Sequence, residues 1–451
     1  MLVEGSSGSI FSIKVSPDPV IESQRIAHMK RYLITSACAS VLLVSVACAQ
    51  DRPGTSENEV PLSSFETATK HSIKPDEMPE PFASQSVRRS SRKVDRPAGA
   101  SLRVPEGFGV NTFSEGIFRN PRMMALAPNG DVFVSDSSAN RIIVLRDKNG
   151  DGRADEDYVF TDDVTQPFGM AFYKEWLYVA NTDSVVRFRY KPGDLEATGS
   201  PEKIIDLPGK GYRQHWTRNL VFSADGSKLF VTVGSESNVS IEPDPRRAAI
   251  SVYDPDGGNH RIFASGIRNP VGVAVNPRSG ELWTAVNERD GLGDDLVPDY
   301  VTSVKDGGFY GWPYVYIGKN IDPRRKEDVK PEHLESVLVP DVLVRSHSAA
   351  LGIIFYQGEM FPEEYRGDAF VAFHGSWNRQ KLTGYKVIRI RFDESGKPQG
   401  NEYEDFLSGW LPDPDSTDVW GRPVGLLVLK DGSMLVTDDG ANKIWRVYYK
   451  K

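Results

Sequence analysis

NPRMMALAPNGDVFVSDSSANRIIVL, residues 120–145, opens on a small residue and proline, runs through apolar residues to a tight turn, and continues into a second apolar run that ends in small and polar residues. The same order returns along the chain. QPFGMAFYKEWLYVANTDSVVRFRY begins at Gln166, TRNLVFSADGSKLFVTVGSESN at Thr217 and NPVGVAVNPRSGELWTAVNERD at Asn269. A degenerate fifth copy starts at Ala349 (AALGIIFY) and resumes as DAFVAFHGSWNR. The sixth, RPVGLLVLKDGSMLVTDDGANKIWRVYY, starts at Arg422. The turns carry Asn129-Gly130, Asp225-Gly226, Ser279-Gly280 and Asp431-Gly432, pairs that suit tight connections between antiparallel strands. The copies start 46–52 residues apart, and the later ones about 70–80 apart. A repeat of that length, holding four short strands, is one propeller blade.

Six copies predict an all-β, six-bladed β-propeller over residues 101–451. The alternatives are a β-sandwich or a ring of five or seven blades. No amphipathic helix separates the strands, so a parallel α/β sheet is not expected. VPEGFGVNTF (104–113) reads as a strand ahead of the first copy and would complete the last blade, removing an exposed edge.

Two other regions are expected ahead of the ring. Residues 1–49 form an N-terminal extension with an export signal. Lys30 and Arg31 precede an apolar stretch from Leu33 to Val46, and Ala47-Cys48-Ala49 follows as a small-x-small cleavage pattern. Met29 is a candidate first residue, and a retained membrane anchor is the alternative. Cys48 could instead carry a lipid, although Ser45 stands where that pattern wants an aliphatic residue. Residues 50–100 are rich in Ser, Pro, Glu and Arg, with little apolar periodicity, and are expected as a disordered tether. The protein is therefore expected to be exported and periplasmic, free or tethered as a lipoprotein. Both cysteines, Cys38 and Cys48, lie in the leading segment, so the ring has no disulfide, thiolate metal site or cysteine nucleophile. A net charge of −8 argues against nucleic acid as the partner.

In a propeller, the residues just ahead of each inner strand line one mouth of the central channel. That position collects Arg122, Gln166, His215, Arg218, Arg268, Asn269, His347, Arg379 and Arg422. Several arginines sharing one mouth repel one another unless an anion lies among them, and a guanidinium suits a carboxylate or phosphate. Surface salt bridges are the plainer reading of any single one. His215, in RQHWTRN, is placed to accept a proton near neutral pH; a structural histidine is the alternative. NERDGLGDD (287–295) offers hard oxygen atoms from Glu288 onward. DKNGDGRADED (147–157) spaces Asp147, Asn149, Asp151 and Asp155 like the start of a calcium loop but has Tyr158 where the closing glutamate belongs. Both are calcium candidates, with solvated acidic turns as the alternative.

Six motifs together carry a family likeness: HWTRNLVF (215–222), GIRNPVGVAV (266–275), NERDGLGDDLVPDY (287–300), GGFYGWPY (307–314), HGSWNR (374–379) and WGRPVGLLV (420–428). Over residues 104–450 the chain resembles the sorbosone dehydrogenase and soluble aldose dehydrogenase group that uses pyrroloquinoline quinone (PQQ). The resemblance implies PQQ lying over the channel mouth with Ca2+ on its quinone side. It implies His215 as general base for a substrate hydroxyl, with hydride passing to C5 of the quinone, and Arg268 as stabiliser of charge on a quinone oxygen. Asn269, Arg379 and Arg422 would contact the cofactor, Gln166 would lie on the substrate side, and carbonyls near Glu288 and Arg289 would hold calcium. Where the family orients its base with an acid, this chain has Ser235 in VGSES, with Glu236 beside it. The implied partners are a sugar-like substrate and an external electron acceptor, since no haem-attachment motif is present. A calcium-dependent lactonase or esterase, or a non-catalytic propeller presenting Trp216, Trp377 and Trp420, are the competing readings.

Overall fold

The computed structural model describes residues 61–209 and 215–450. The export signal and Cys48 lie outside the described residues. Six four- or five-stranded sheets follow one another along the chain, antiparallel except for Gly308–Phe309, which runs parallel on the outer edge of blade 3, and blades 5 and 6 take their outermost strands from ahead of blade 1. Blade 1 starts at Pro121–Leu126, blade 2 at Met170–Tyr173, blade 3 at Arg218–Phe222, blade 4 at Pro270–Val275, blade 5 at Ala350–Phe355 and blade 6 at Pro423–Val428. Each of these inner strands contacts the inner strand of the next blade, and the sixth returns to the first, which closes a ring of six. Phe108–Glu115 pairs antiparallel with Lys443–Tyr449 and completes blade 6 with a strand from the start of the ring, as the sequence led us to expect.

The repeated start motif explains how tightly the inner strands meet. Its fourth position is Gly169, Gly272, Gly352 and Gly425 in four blades. A Cβ at Gly272 would lie 2.1 Å from the Leu351 carbonyl oxygen, and one at Gly425 would lie 2.4 Å from that of Arg122. Any larger residue would push neighbouring blades apart. The third position points at the axis, where Phe168, Val271, Leu351 and Val424 form an apolar plug with Met123 and Trp216. The channel is therefore filled at its centre, and open space is left at the end where the inner strands begin. Between blades, interleaved side chains supply the main burial, such as Phe133 with Leu177 and Trp283 with Ile353.

The expectation of a disordered tether is corrected for residues 61–100, which are ordered against the ring. Leu62–Phe65 runs parallel to Leu102–Pro105. Lys70–Ser72 adds an outermost strand to blade 5 by pairing with Glu402–Glu404, and Arg92–Lys93 pairs with Asp418–Val419. These strands are two to four residues long; Lys70–Ser72 joins the edge of blade 5, and the other two each pair with one short strand in a separate two-stranded ladder. They need no apolar face of their own, so periodicity does not reveal them. The insertion between the third and fourth strands of blade 4 holds a short hairpin and the helix Pro331–Ser336. Among the described residues, no helix is long and apolar enough to cross a membrane.

Candidate active site

A cavity of about 290 Å³ opens where inner strands begin on blades 3, 4 and 5, and His215, Arg268, Asn269, Asp290, Asp299 and Trp377 are among its walls. His215 lies in the turn leading into blade 3 and takes a left-handed backbone, φ +48°. Arg218, fully buried, holds that turn by donating to the carbonyl oxygens of His215 (2.6 Å), Thr217 (2.8 Å) and Pro208 (2.7 Å). The imidazole Nδ1 stands 3.0 Å from both the carbonyl oxygen and the hydroxyl of Ser235. A carbonyl can only accept, so Nδ1 carries the hydrogen and Nε2 keeps its lone pair. Burial, reinforced by Arg268, pulls the imidazole down to about 3, so the ring is neutral across the physiological range. Ser235 thus orients the imidazole through its carbonyl oxygen and its hydroxyl. Gly234 makes the approach possible: a Cβ there would lie 2.3 Å from Asn269 Oδ1 and 2.8 Å from His215 Cβ.

Arg268 and Asn269 precede the inner strand of blade 4. The Arg268 guanidinium is buried and donates to the carbonyl oxygens of Glu288 (2.7 Å) and Asn287 (3.3 Å), to Asn238 Oδ1 (3.0 Å) and to the Asp290 carboxylate (3.1 Å). The Oδ1 atom of Asn269 is buried and has no hydrogen-bond partner. Burial works against a charge on Asp290, but Arg268 and His347 overcome it and hold that carboxyl at about 2. Asp299 goes the other way. It is fully buried, and burial lifts it to about 7 although it accepts the backbone N–H groups of Glu288 and Ala349, each at 2.8 Å. Asp299 therefore titrates near neutrality where His215 does not; burial also works against a charge on His347 in the same wall, but Asp290 and the Gly293 carbonyl raise that imidazole above its ordinary value. Trp377 keeps 43% of its surface exposed at the rim.

Arg422 and Arg122 belong to a second polar cluster. Arg422 donates to the carbonyl oxygen and Nδ1 of His374 (3.3 and 3.0 Å), His374 Nε2 donates to Asp439 (2.8 Å), and Arg122 pairs with the same aspartate. Burial and then Arg422 pull His374 down to about 4. With that ring neutral, two guanidiniums face one carboxylate. Arg122 Nε has no partner, and its guanidinium lies 5.4 Å from the Trp216 ring, next to His215 in sequence. Arg379 is buried against Asp294 and Asp295 and steadies their loop. Gln166 is exposed, at φ +45°. None of these lines the cavity, so the arginines do not share one opening: Arg268 stands in the cavity, and Arg122 with Arg422 forms a separate cationic spot.

The two calcium candidates differ in their surroundings. Glu288 lines the cavity, and its carbonyl oxygen faces Arg268. The Arg289 side chain turns into the core, to Glu288, Asp322 and the carbonyl oxygens of Pro313 and Val315. In the 147–155 loop the side chains bind the loop itself: Asp147 accepts the N–H groups of Gly150 and Gly152, Asp155 those of Lys148 and Asn149, and Asn149 donates to Asp151. Among the described residues, no group of three or more His, Cys, Asp or Glu side chains converges as a metal site. Sequence reasoning did not single out Asp299, Asn287 or Asn378. Asp299 sits in a quoted motif, NERDGLGDDLVPDY, but only the third strand of blade 4 brings it to the cavity.

A closed six-bladed ring with a buried neutral imidazole beside a guanidinium at its mouth defines a class of propeller, and comparison places the chain within it. The Glucose / Sorbosone dehydrogenase family profile matches residues 118–403, and the chain belongs to that family. It is 31% identical over 362 residues to an uncharacterized protein of Borreliella burgdorferi, covering 78% of this chain and 92% of that one. It is 32% identical over 172 residues to an aldose sugar dehydrogenase of Escherichia coli, covering 35% of this chain and 44% of the other. A PQQ-dependent pyranose dehydrogenase of Coprinopsis cinerea is 22% identical over 76% of this chain and 54% of its own length. The fold matches the holo form of the PQQ domain of a pyranose dehydrogenase from that organism, with a TM-score of 0.64 at 21% identity over 80% of this chain and all of that one.

Proposed function

We propose that the chain is a PQQ-dependent dehydrogenase that oxidises an aldose or related polyhydroxy aldehyde or alcohol, with His215 as general base. The observation that carries this is the tautomer of His215: Nδ1–H is spent on Ser235, and Nε2 is an open acceptor in the wall of a cavity that also holds a guanidinium. Three features suit a planar anionic redox group there. Arg268 offers positive charge, the unpartnered Oδ1 of Asn269 awaits a donor, and Trp377 offers a flat apolar face. PQQ, when bound, supplies the two-electron oxidant; the protein supplies binding, orientation and proton transfer. Arg268 and Asn269 would hold it, with Arg422 as the cation on the blade 6 side. His215 Nε2 takes the proton from the substrate hydroxyl, and the Ser235 carbonyl oxygen stabilises the imidazolium that forms. The Arg268 guanidinium, buried in the cavity wall with its N–H groups on Asn238, Asn287, Glu288 and Asp290, would stabilise negative charge on a bound quinone through its field. Calcium, where it binds, would meet backbone carbonyl oxygens of the loop near Glu288 and Arg289. The same reading has the protein at work in the periplasm, with or without a lipid at Cys48, passing electrons to an external acceptor.

Purified protein given PQQ and calcium is expected to reduce a dye when supplied with a panel of sugars. His215→Ala should lose about 10²- to 10⁴-fold in kcat/KM while still binding PQQ. Failure of the wild type to reduce dye with any sugar would overturn the reading.

A further inference from the structure

The ordered N-terminal segment passes along the cavity rim. Phe82 N–H donates to Leu292 O (2.7 Å) on the blade 4 side, and Ser84 Oγ accepts the Asp294 N–H (2.7 Å). Arg89 N–H donates to Trp377 O (2.7 Å) on blade 5. Arg92 forms a two-pronged pair with Asp418 (both contacts 2.7 Å), and Val94 N–H donates to Val419 O (2.9 Å) at blade 6. This backbone is fixed at both ends and in the middle. Between the anchors it carries Arg88, whose guanidinium lies 5.9 Å from the ring centre of Trp377, a residue of the cavity wall. Arg268 in the cavity wall holds Asp290, Arg92 further along the strap holds Asp418, and Arg379 holds Asp295. Among the described residues, Arg88 has no carboxylate partner and is exposed.

We propose that Arg88, held over Trp377 by this strap, is a specificity residue that selects sugars bearing an oxyanion, a carboxylate or a phosphate. This rests on the sugar-dehydrogenase reading and names its substrate class. In the cavity wall Arg268 holds Asp290, and Arg289 holds Glu288, whereas at the rim the exposed Arg88 guanidinium has no carboxylate partner among the described residues and attracts an anion. A sugar charged at one end is therefore turned with that end outward and its hydroxyl-bearing end toward His215. A guanidinium binds either oxyanion through two parallel N–H groups, and exposure to solvent keeps the gain modest, about 5- to 10-fold in affinity.

The test uses two readouts. The full-length protein is titrated calorimetrically with glucose, glucuronate and glucose 6-phosphate without added cofactor, and the same sugars are compared by kcat/KM after PQQ is supplied. Wild type is expected to prefer one or both charged sugars by about 5- to 10-fold, with the preference shrinking as salt rises. R88E should erase it through KM and leave kcat and the binding of glucose unchanged; R88A should fall between. The two charged ligands decide between carboxylate and phosphate. Equal binding of neutral and charged sugars, or a preference that survives R88E, would overturn the assignment. Charge-selective binding lost in R88E, with no turnover of any sugar, would uphold this inference and sink the dehydrogenase reading instead.

Discussion

Replacing Gly234 with alanine adds one methyl group, and the structure says where it must go. The new Cβ would fall 2.3 Å from Asn269 Oδ1 and 2.8 Å from His215 Cβ. Carbon and oxygen need roughly 3.4 Å or more, so a displacement of about 1 Å has to be shared between the two groups. The φ of Gly234 is not in the left-handed region, so alanine meets no backbone penalty and the perturbation is steric alone. Overpacking of this kind costs about 1–3 kcal/mol of stability. A shift of about 1 Å at a reacting group costs on the order of 10²-fold in rate. We therefore expect G234A to fold, to melt a few degrees lower, and to lose about 100-fold in kcat/KM in the dye-coupled assay, most of it in kcat. Wild-type kcat/KM in a folded G234A would refute the idea that His215 and Asn269 form one closely fitted unit.

Three further outcomes follow from the same geometry. R218M removes the donors of three buried carbonyl oxygens; urea unfolding should show a loss of about 3 kcal/mol or more, and a loss below 1 kcal/mol would mean that water replaces the clamp. Asp299 is held near 7 against an ordinary 3.8, so the native state keeps a proton that the unfolded chain gives up. Its contribution to stability accordingly declines between about pH 4 and pH 7 and levels off above, by up to roughly 4 kcal/mol. D299N should flatten the fall in melting temperature across that window, and an unchanged pH profile would contradict the burial argument. F108A empties an aromatic nest of Phe361, Tyr365, Phe406 and Tyr449 on the closing strand, and calorimetry should show about 3–5 kcal/mol lost.

The ring was legible in the sequence because each blade spells the same order of apolar runs and turns, and even the closing strand at 104–113 shows alternation. Residues 61–100 were not, since strands of two to four residues, each paired with one distant segment, leave no periodic trace. His215, Arg268 and Asn269 were found because they stand immediately before inner strands, a place that the repeat itself marks. The same rule does not bring Arg379, Arg422 or Gln166 into the cavity wall. Position along the repeat says that a side chain starts near the mouth, but its partner decides where it ends, and Asp294, Asp295 and His374 lie far away in sequence. Arg218 was counted with the mouth and proves to be the clamp on the His215 turn, because three carbonyl oxygens converge on it. Asp299 stayed hidden for the opposite reason: its importance comes from burial in a β-strand, which no motif advertises.

The central claim is that this cavity binds PQQ and lets a sugar reduce it through His215. The direct measurement is an anaerobic absorbance spectrum of the protein with one equivalent of PQQ, taken before and after a sugar is added. The account predicts a spectral shift on binding, then conversion to the reduced form on adding sugar, slowed at least 100-fold in H215A. PQQ that keeps its free spectrum and separates from the protein on gel filtration, or that is reduced as fast in H215A as in wild type, would contradict it.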